Sequence, residues 1–69
     1  MVKSNLPVLM AERYLKITTL SEKTGISRTT LTKLYYSKAK GIQFRTLVAL
    51  CKFLDCEVGE LLEIEKEAV

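Results

Sequence analysis

Arg28, Thr29, Thr32, Lys33 and Tyr36 are the residues whose types and spacing suit a chemical task. Set out at about 100° per residue, the stretch Ser27 to Tyr36 turns Thr30, Leu31 and Leu34 to one side and these five to the other. The outer arc holds cationic donors, hydroxyls and methyls, and no acid. Such an arc can meet the edge of a DNA base pair: guanine shows two acceptors that Arg or Lys can reach, and thymine shows a methyl that Thr can touch. A charged outer face is also ordinary on a surface helix, where Arg28 and Lys33 would simply be hydrated. The choice between the two rests on the elements around the arc.

Those elements are legible in ITTLSEKTGISRTTLTKLYY, Ile17 to Tyr36, which reads as two short amphipathic helices joined by a sharp turn. Gly25 lies between them, where a residue without a Cβ can take the left-handed conformation that closes a helix. Ser27 can cap the second helix by accepting from an unpaired backbone N–H. Thr18 or Thr19 can cap the first, and Thr19 with Glu22 forms a capping-box pattern. The free N–H groups at that helix start make it a phosphate site if DNA lies there, and an ordinary capped end if only water does.

Leu20, Ser21, Gly25, Ile26, Leu31 and Leu34 stand at offsets that resemble the helix-turn-helix unit of the phage repressors and Cro proteins. The resemblance continues through GISRTTLTKLYYSKAKGIQFRTLVALCKFLDCEVGELLE and covers nearly the whole chain, in the manner of the family's compact bacterial and phage subgroup. It implies an all-α fold, a compact five-helix bundle of the lambda-repressor kind, and sequence-specific binding of double-stranded DNA by a regulator of transcription, as in the repressors. Arg28, Thr29, Thr32 and Lys33 would contact bases. Thr18, Thr19, Tyr36, Lys38, Lys40, Gly41, Gln43 and Arg45 would contact phosphates. The chain departs from the pattern at Ile17, where relatives often have a phosphate-binding Gln, and at Ser21, where they have Ala. Thr24 replaces a common apolar residue, and Tyr36, Ser37 and Lys38 replace the glutamate and glycine that often follow the recognition helix.

Charge distribution agrees with a polyanionic partner. From Lys16 to Arg45 seven basic residues face Glu22 alone, a local charge of +6, whereas from Thr46 onward two lysines face six acids, a local charge of −4. The molecule would orient in the field of a nucleic acid with its basic middle inward. A membrane surface would attract the same patch, but a membrane helix should carry large apolar residues beside its cations, and this arc carries threonines.

A chain of 69 residues makes a single domain, 1–69. At that size folding buries only about 60% of the unfolded surface, so stability is expected to be modest. A hydrophobic share of 48% with three Gly and one Pro excludes a disordered tail. No apolar run approaches the roughly 20 residues of a membrane span, and the N-terminus lacks the order of a signal peptide, so a cytoplasmic protein is expected. Cys51 and Cys56 have neither zinc-site spacing nor any histidine to join them, which argues against a metal and for two small core residues. Without histidine, a glycine-rich phosphate motif or paired carboxylates, no enzyme, cofactor or small-molecule substrate is expected.

Elsewhere the pattern is structural. Residues 1–4 read as a flexible arm. Asn5 can cap a first helix with Pro7 in its opening turn, and Leu6, Leu9, Met10, Tyr14 and Ile17 recur as one buried stripe. SKAKGI reads as a basic loop hinged at Gly41, with Lys38 and Lys40 reaching outward. Phe44, Leu47, Val48, Leu50, Cys51 and Leu54 form a broad apolar face that reads as the spine of the bundle. Glu57 stands at the cap of a last helix in which Val58, Leu61 and Leu62 close the core, Gly59 weakens the first turn, and 65–69 is a tail open to fraying.

A different function also fits the fold: a helical interaction module of the antitoxin or antirepressor type, which holds a protein instead of DNA. Such a face should cluster apolar or aromatic anchors, and on the outer arc only Tyr36 qualifies. One recognition helix reads too few base pairs to select a genomic site, so the family resemblance implies a homodimer on a palindromic operator. The region around the last helix, with Ile64 and Val69, is the expected pairing surface. Glu60, Glu63, Glu65 and Glu67 would oppose one another there and keep the free dimer weak.

Overall fold

Leu6, Leu20, Leu31, Leu50, Leu54 and Leu61 are the largest fully buried side chains, and together they come from all five helices. A computed structural model describes residues 2–65. The elements in order are β1 (Val2–Ser4), α1 (Leu6–Glu12), α2 (Ile17–Thr24), α3 (Arg28–Tyr35), α4 (Phe44–Leu54), α5 (Val58–Leu61) and β2 (Leu62–Ile64). Leu9, Met10 and Leu34 complete the buried cluster, around which α2 packs on α3 and α4, α1 on α3, and α5 on α4. Burying each leucine contributes about 1.5–3 kcal/mol, and truncating one such as Leu31 to Ala would cost about 2–5 kcal/mol.

Three of the helices end in the same way, and without glycine. After α1 the Leu15 N–H donates to the Met10 carbonyl at 2.9 Å and the Tyr14 N–H to Ala11 at 3.2 Å. After α3, Lys38 reaches back to Lys33 at 2.8 Å and Ser37 to Leu34 at 3.1 Å. After α4, Cys56 bonds Cys51 at 3.0 Å and Asp55 bonds Lys52 at 3.3 Å. This paired 6→1 and 5→2 closure needs a left-handed residue, usually glycine. Here Tyr14 (φ 54°), Ser37 (φ 56°) and Asp55 (φ 51°) take it. Each such Cβ costs about 1–2 kcal/mol, offset by the packing that follows the turn. Arg13 joins two of the helix ends: its Nε donates to the Leu54 carbonyl and an Nη to that of Leu9, both at 2.9 Å.

Several expectations from the sequence are corrected. The fold is not purely helical, because residues 2–4 are not a loose arm but β1, paired antiparallel with β2 in the register Val2 to Ile64, Lys3 to Glu63 and Ser4 to Leu62. An isolated two-stranded ribbon is marginal in water. This one is tied down by the Asn5 N–H on the Leu61 carbonyl at 2.8 Å and by the Asn5 side-chain amide on the Glu60 carbonyl at 3.1 Å. Asn5 thus occupies the cap position of α1 while its side chain serves the sheet junction and makes no cap bond. The last helix stops at Leu61, and its capping residue Glu57 donates its backbone N–H to the Glu60 carboxylate at 3.0 Å. Tyr14 is almost fully exposed, since α1 ends before it, and Ile17 opens the next helix. Phe44 and Val48 lie outside the core on the solvent side of α4. Cys51 and Cys56 are free thiols packed against the core, only half-buried. Residues 66–69, which carry the expectations for Glu67 and Val69 and most of the fraying tail, lie outside the described residues, as does Met1.

Candidate nucleic-acid interface

The turn between α2 and α3 is held by its own short side chains. Gly25 closes α2 at φ 76° and donates its N–H to the Ser21 carbonyl at 2.9 Å. Thr24 donates its hydroxyl to the Leu20 carbonyl at 2.6 Å and accepts from the Ile26 N–H at 3.3 Å. Ser21 donates across the turn to the Ile26 carbonyl at 2.6 Å. The hydroxyls of Ser21 and Thr24 thus both find partners within the turn itself. The turn is therefore held by bonds of its own.

Ser27 caps α3 as its position suggests, accepting from the Thr30 N–H at 3.2 Å and donating to the Thr30 hydroxyl at 2.9 Å. Leu31 and Leu34 anchor the inner side, and Arg28, Thr29, Thr32 and Lys33 all lie exposed on the outer side. The Thr32 hydroxyl donates to the Arg28 carbonyl at 2.7 Å, so its proton is committed, and its methyl and the acceptor side of its oxygen are left to present. Tyr36 follows as the C-cap, 62% exposed, its ring edge-on to Tyr35 at 5.0 Å. Among the described residues the one ion pair is Arg13 with Glu12. Arg28, Lys33, Lys38 and Lys40 are therefore cations without an acidic partner there.

The other candidates gather at both ends of α3. A polar cleft of about 340 Å³ lies where the α2–α3 turn meets the start of α4, lined by residues 24–27 with Thr30, Gln43, Arg45, Thr46 and Ala49. Gln43 is the cap residue of α4 and accepts from the Arg45 guanidinium at 3.0 Å, which holds that fork beside the N-terminus of α3. At the opposite end Ser37 turns the chain left-handed, and Lys38, Lys40 and Gly41 follow, all exposed. Gly41 has no positive φ and only open space where a Cβ would be, so neither backbone conformation nor packing within the described residues calls for glycine there, against the hinge expected from the sequence.

Thr18 and Thr19 do not cap α2. The helix begins at Ile17 with Lys16 as its cap residue, and no side chain bonds its first N–H groups. Thr18 and Thr19 sit inside the first turn, and Glu22 is exposed without the capping-box bond. This correction brings forward Lys16, an exposed cation at the positive end of a helix, which in the sequence pattern enters only as charge. Its signal is a basic residue directly before the first apolar position of the helix.

Comparison with known proteins agrees with this geometry. The Cro/C1-type helix-turn-helix DNA-binding domain matches residues 5–67. An uncharacterized HTH-type transcriptional regulator of Bacillus subtilis (strain 168), YozG, is 41% identical over 63 residues, spanning 91% of this chain and 75% of that protein. The crystal structure of the transcriptional regulator VanUg superposes with a TM-score of 0.77 at 31% identity, over 96% of this chain and 87% of that one.

Proposed function

The chain belongs to the Cro/C1-type helix-turn-helix DNA-binding family, and from that premise we propose that it regulates transcription by reading double-stranded DNA sequence-specifically with α3 in the major groove. The observation that carries the reading is the outer face of α3: Arg28, Thr29, Thr32 and Lys33 are exposed, free of acidic partners among the described residues, and borne on a helix fixed by Leu31, Leu34 and the Ser27 cap. Arg28 and Lys33 read guanine acceptors, and Thr29 and Thr32 meet thymine methyls. Phosphates are met by Lys16, Thr18 and Thr19 at the open start of α2, by Tyr36, Lys38, Lys40 and Gly41 beyond α3, and by Gln43 and Arg45 at the start of α4.

One α3 covers only a few base pairs, so two copies act together on a palindromic operator, their recognition helices about 34 Å apart on one face of the duplex. Selection of bound sequences from a random duplex library tests the whole reading. A two-fold symmetric consensus is expected, and recovery of unselected sequence would overturn it. The runner-up, a module that binds a protein instead of DNA, draws support from the exposed apolar side of α4, which the outer face of α3 lacks.

A further inference from the structure

We propose that Cys51 and Cys56 form a dithiol site at the corner of α4 and α5, which small-molecule disulfides convert into an intrachain bond that locks the corner. Backbone geometry puts the two residues together. The Cys56 N–H donates to the Cys51 carbonyl at 3.0 Å, and Asp55, at φ 51°, turns the chain back on itself. On an unbroken helix, residues five apart have Cα atoms roughly 9 Å from one another. Here the amide nitrogen lies about 1.5 Å from its own Cα and the carbonyl oxygen about 2.4 Å from its own, so the bond caps the separation at about 7 Å, and any bend in the path shortens it. A disulfide spans about 4.4–6.8 Å.

The same closure brings the side chains of its two end residues into contact, and these are commonly an apolar pair. At the end of α1 the two positions hold Met10 and Leu15, both packed in or against the core. At the end of α4 they hold two thiols, packed against the core and neither fully buried. The Cys51 thiol acts on that of Cys56 through charge and a hydrogen bond, which places sulfur beside sulfur. Other small apolar side chains would fill this contact, but only two thiols can be joined across it.

The order of events follows from the two environments. Cys51 lines a shallow apolar groove of about 290 Å³ beside Val58, and Lys52 is the single charged residue there. A small disulfide, R–S–S–R, enters from solvent, and the lysine puts positive charge near the attacking and leaving sulfurs. Burial holds Cys56 as the neutral thiol, so the first attack falls to Cys51. Having given its proton to solvent, the Cys51 Sγ bonds to one sulfur of the reagent; the S–S bond breaks, and the first thiolate leaves and takes up a proton. The mixed disulfide no longer carries the charge by which Cys51 helps to keep Cys56 protonated. Cys56 then loses its proton, its Sγ attacks that of Cys51, and the second thiolate departs to be protonated in turn. Two cysteines are oxidised to one disulfide, and R–S–S–R is reduced to two R–SH. The new bond ties the last turn of α4 to the residue before Glu57, the cap of α5. In a reducing compartment bonds of this kind are usually transient and redox-sensing.

The test treats the full reduced chain with excess 2-hydroxyethyl disulfide at pH 8 and follows intact mass and non-reducing electrophoresis. Wild type should lose two hydrogens within one chain without accumulating the mercaptoethanol adduct, and both thiols should close to N-ethylmaleimide together. The oxidised form should melt at least about 4 °C above the reduced one, and dithiothreitol should reverse the rise. Cys56→Ser should stop at one adduct, whereas Cys51→Ser should take up the reagent at least about 5-fold more slowly, with circular dichroism verifying that both are folded. The wild-type measurement decides by itself if either variant fails to fold. Two adducts on wild type, a bond between chains, or thiols still free after a model peptide thiol has reacted overturns the proposal. So does an oxidised form that melts no higher, or an equal rate in the two variants.

Discussion

The backbone N–H of Ser4 donates to the Oγ of Ser37 at 2.9 Å, across 33 residues of sequence. This bond joins β1 to the left-handed residue that terminates α3, so the first strand of the chain braces the far end of α3. Ser4 is itself buried, and its own hydroxyl accepts from the Leu6 N–H at 3.2 Å, which fixes the start of α1 in the same motif.

Ser37→Ala should therefore cost about 1–2 kcal/mol, because it leaves a part-buried N–H unpaired. Ser37→Gly removes the same bond but relieves the left-handed Cβ, so its net cost should be smaller by about 1 kcal/mol. Denaturant unfolding measures both. Amide exchange at Ser4 should quicken in each variant, and unchanged exchange would show that the bond does not hold the strand.

Tyr14→Gly should stabilise the protein by up to about 1 kcal/mol, since Tyr14 sits at φ 54° and is 96% exposed. The substitution removes strain and almost no packing. A lower melting temperature in the variant would count against the assigned end of α1.

Arg28→Ala should cost about 1–3 kcal/mol on the selected DNA site and relax the choice of base at one position. Thr32→Val should keep its preference, because the hydroxyl proton already serves the Arg28 carbonyl and the methyl remains. Equal losses on selected and random duplexes for Arg28→Ala would argue against base reading.

The double variant Lys38→Ala/Lys40→Ala should weaken binding to all sequences alike and lower the salt slope by about 0.9 for each phosphate that is no longer neutralised. Titration of binding against salt concentration measures this. An unchanged slope would take the loop after α3 out of the interface.

The Cys56 thiol is pushed up from 9.0 to about 11, first by burial, then by the adjacent Cys51 thiol and the Glu60 carboxylate, with Arg13 pulling the other way. A thiol held neutral in the folded state favours folding below its unfolded pKa. That contribution is lost as pH rises from about 9 through about 11. Alkylation of Cys56 by iodoacetamide should lag a free peptide thiol at pH 8 to 9 and accelerate steeply toward 11. An equal rate at the lower pH would contradict this environment.

The α2–turn–α3 unit is legible from residues alone because its determinants are local. Gly25 closes one helix, Ser27 opens the next, and Leu20, Leu31 and Leu34 mark the inner side, all through interactions within a few residues of chain. The outward arc of α3 follows from the same periodicity, which is why Arg28, Thr29, Thr32 and Lys33 all emerge exposed. The loop cations needed only to be charged and between helices.

Only the tertiary structure could decide the remainder, since each point depends on partners far apart in sequence. Val2–Ser4 is too short to show an alternating pattern, and it becomes a strand because Leu62–Ile64 lies beside it. The apolar face of α4 is continuous in sequence, and which half is covered depends on where α1, α2 and α5 arrive; they cover Leu50 and Leu54 and leave Phe44 and Val48 bare. Tyr14, Ser37 and Asp55 have no intrinsic preference strong enough to announce a left-handed turn. They accept the strain because burial of the leucines on either side outweighs it, a balance of free energies that exists only once those leucines have met.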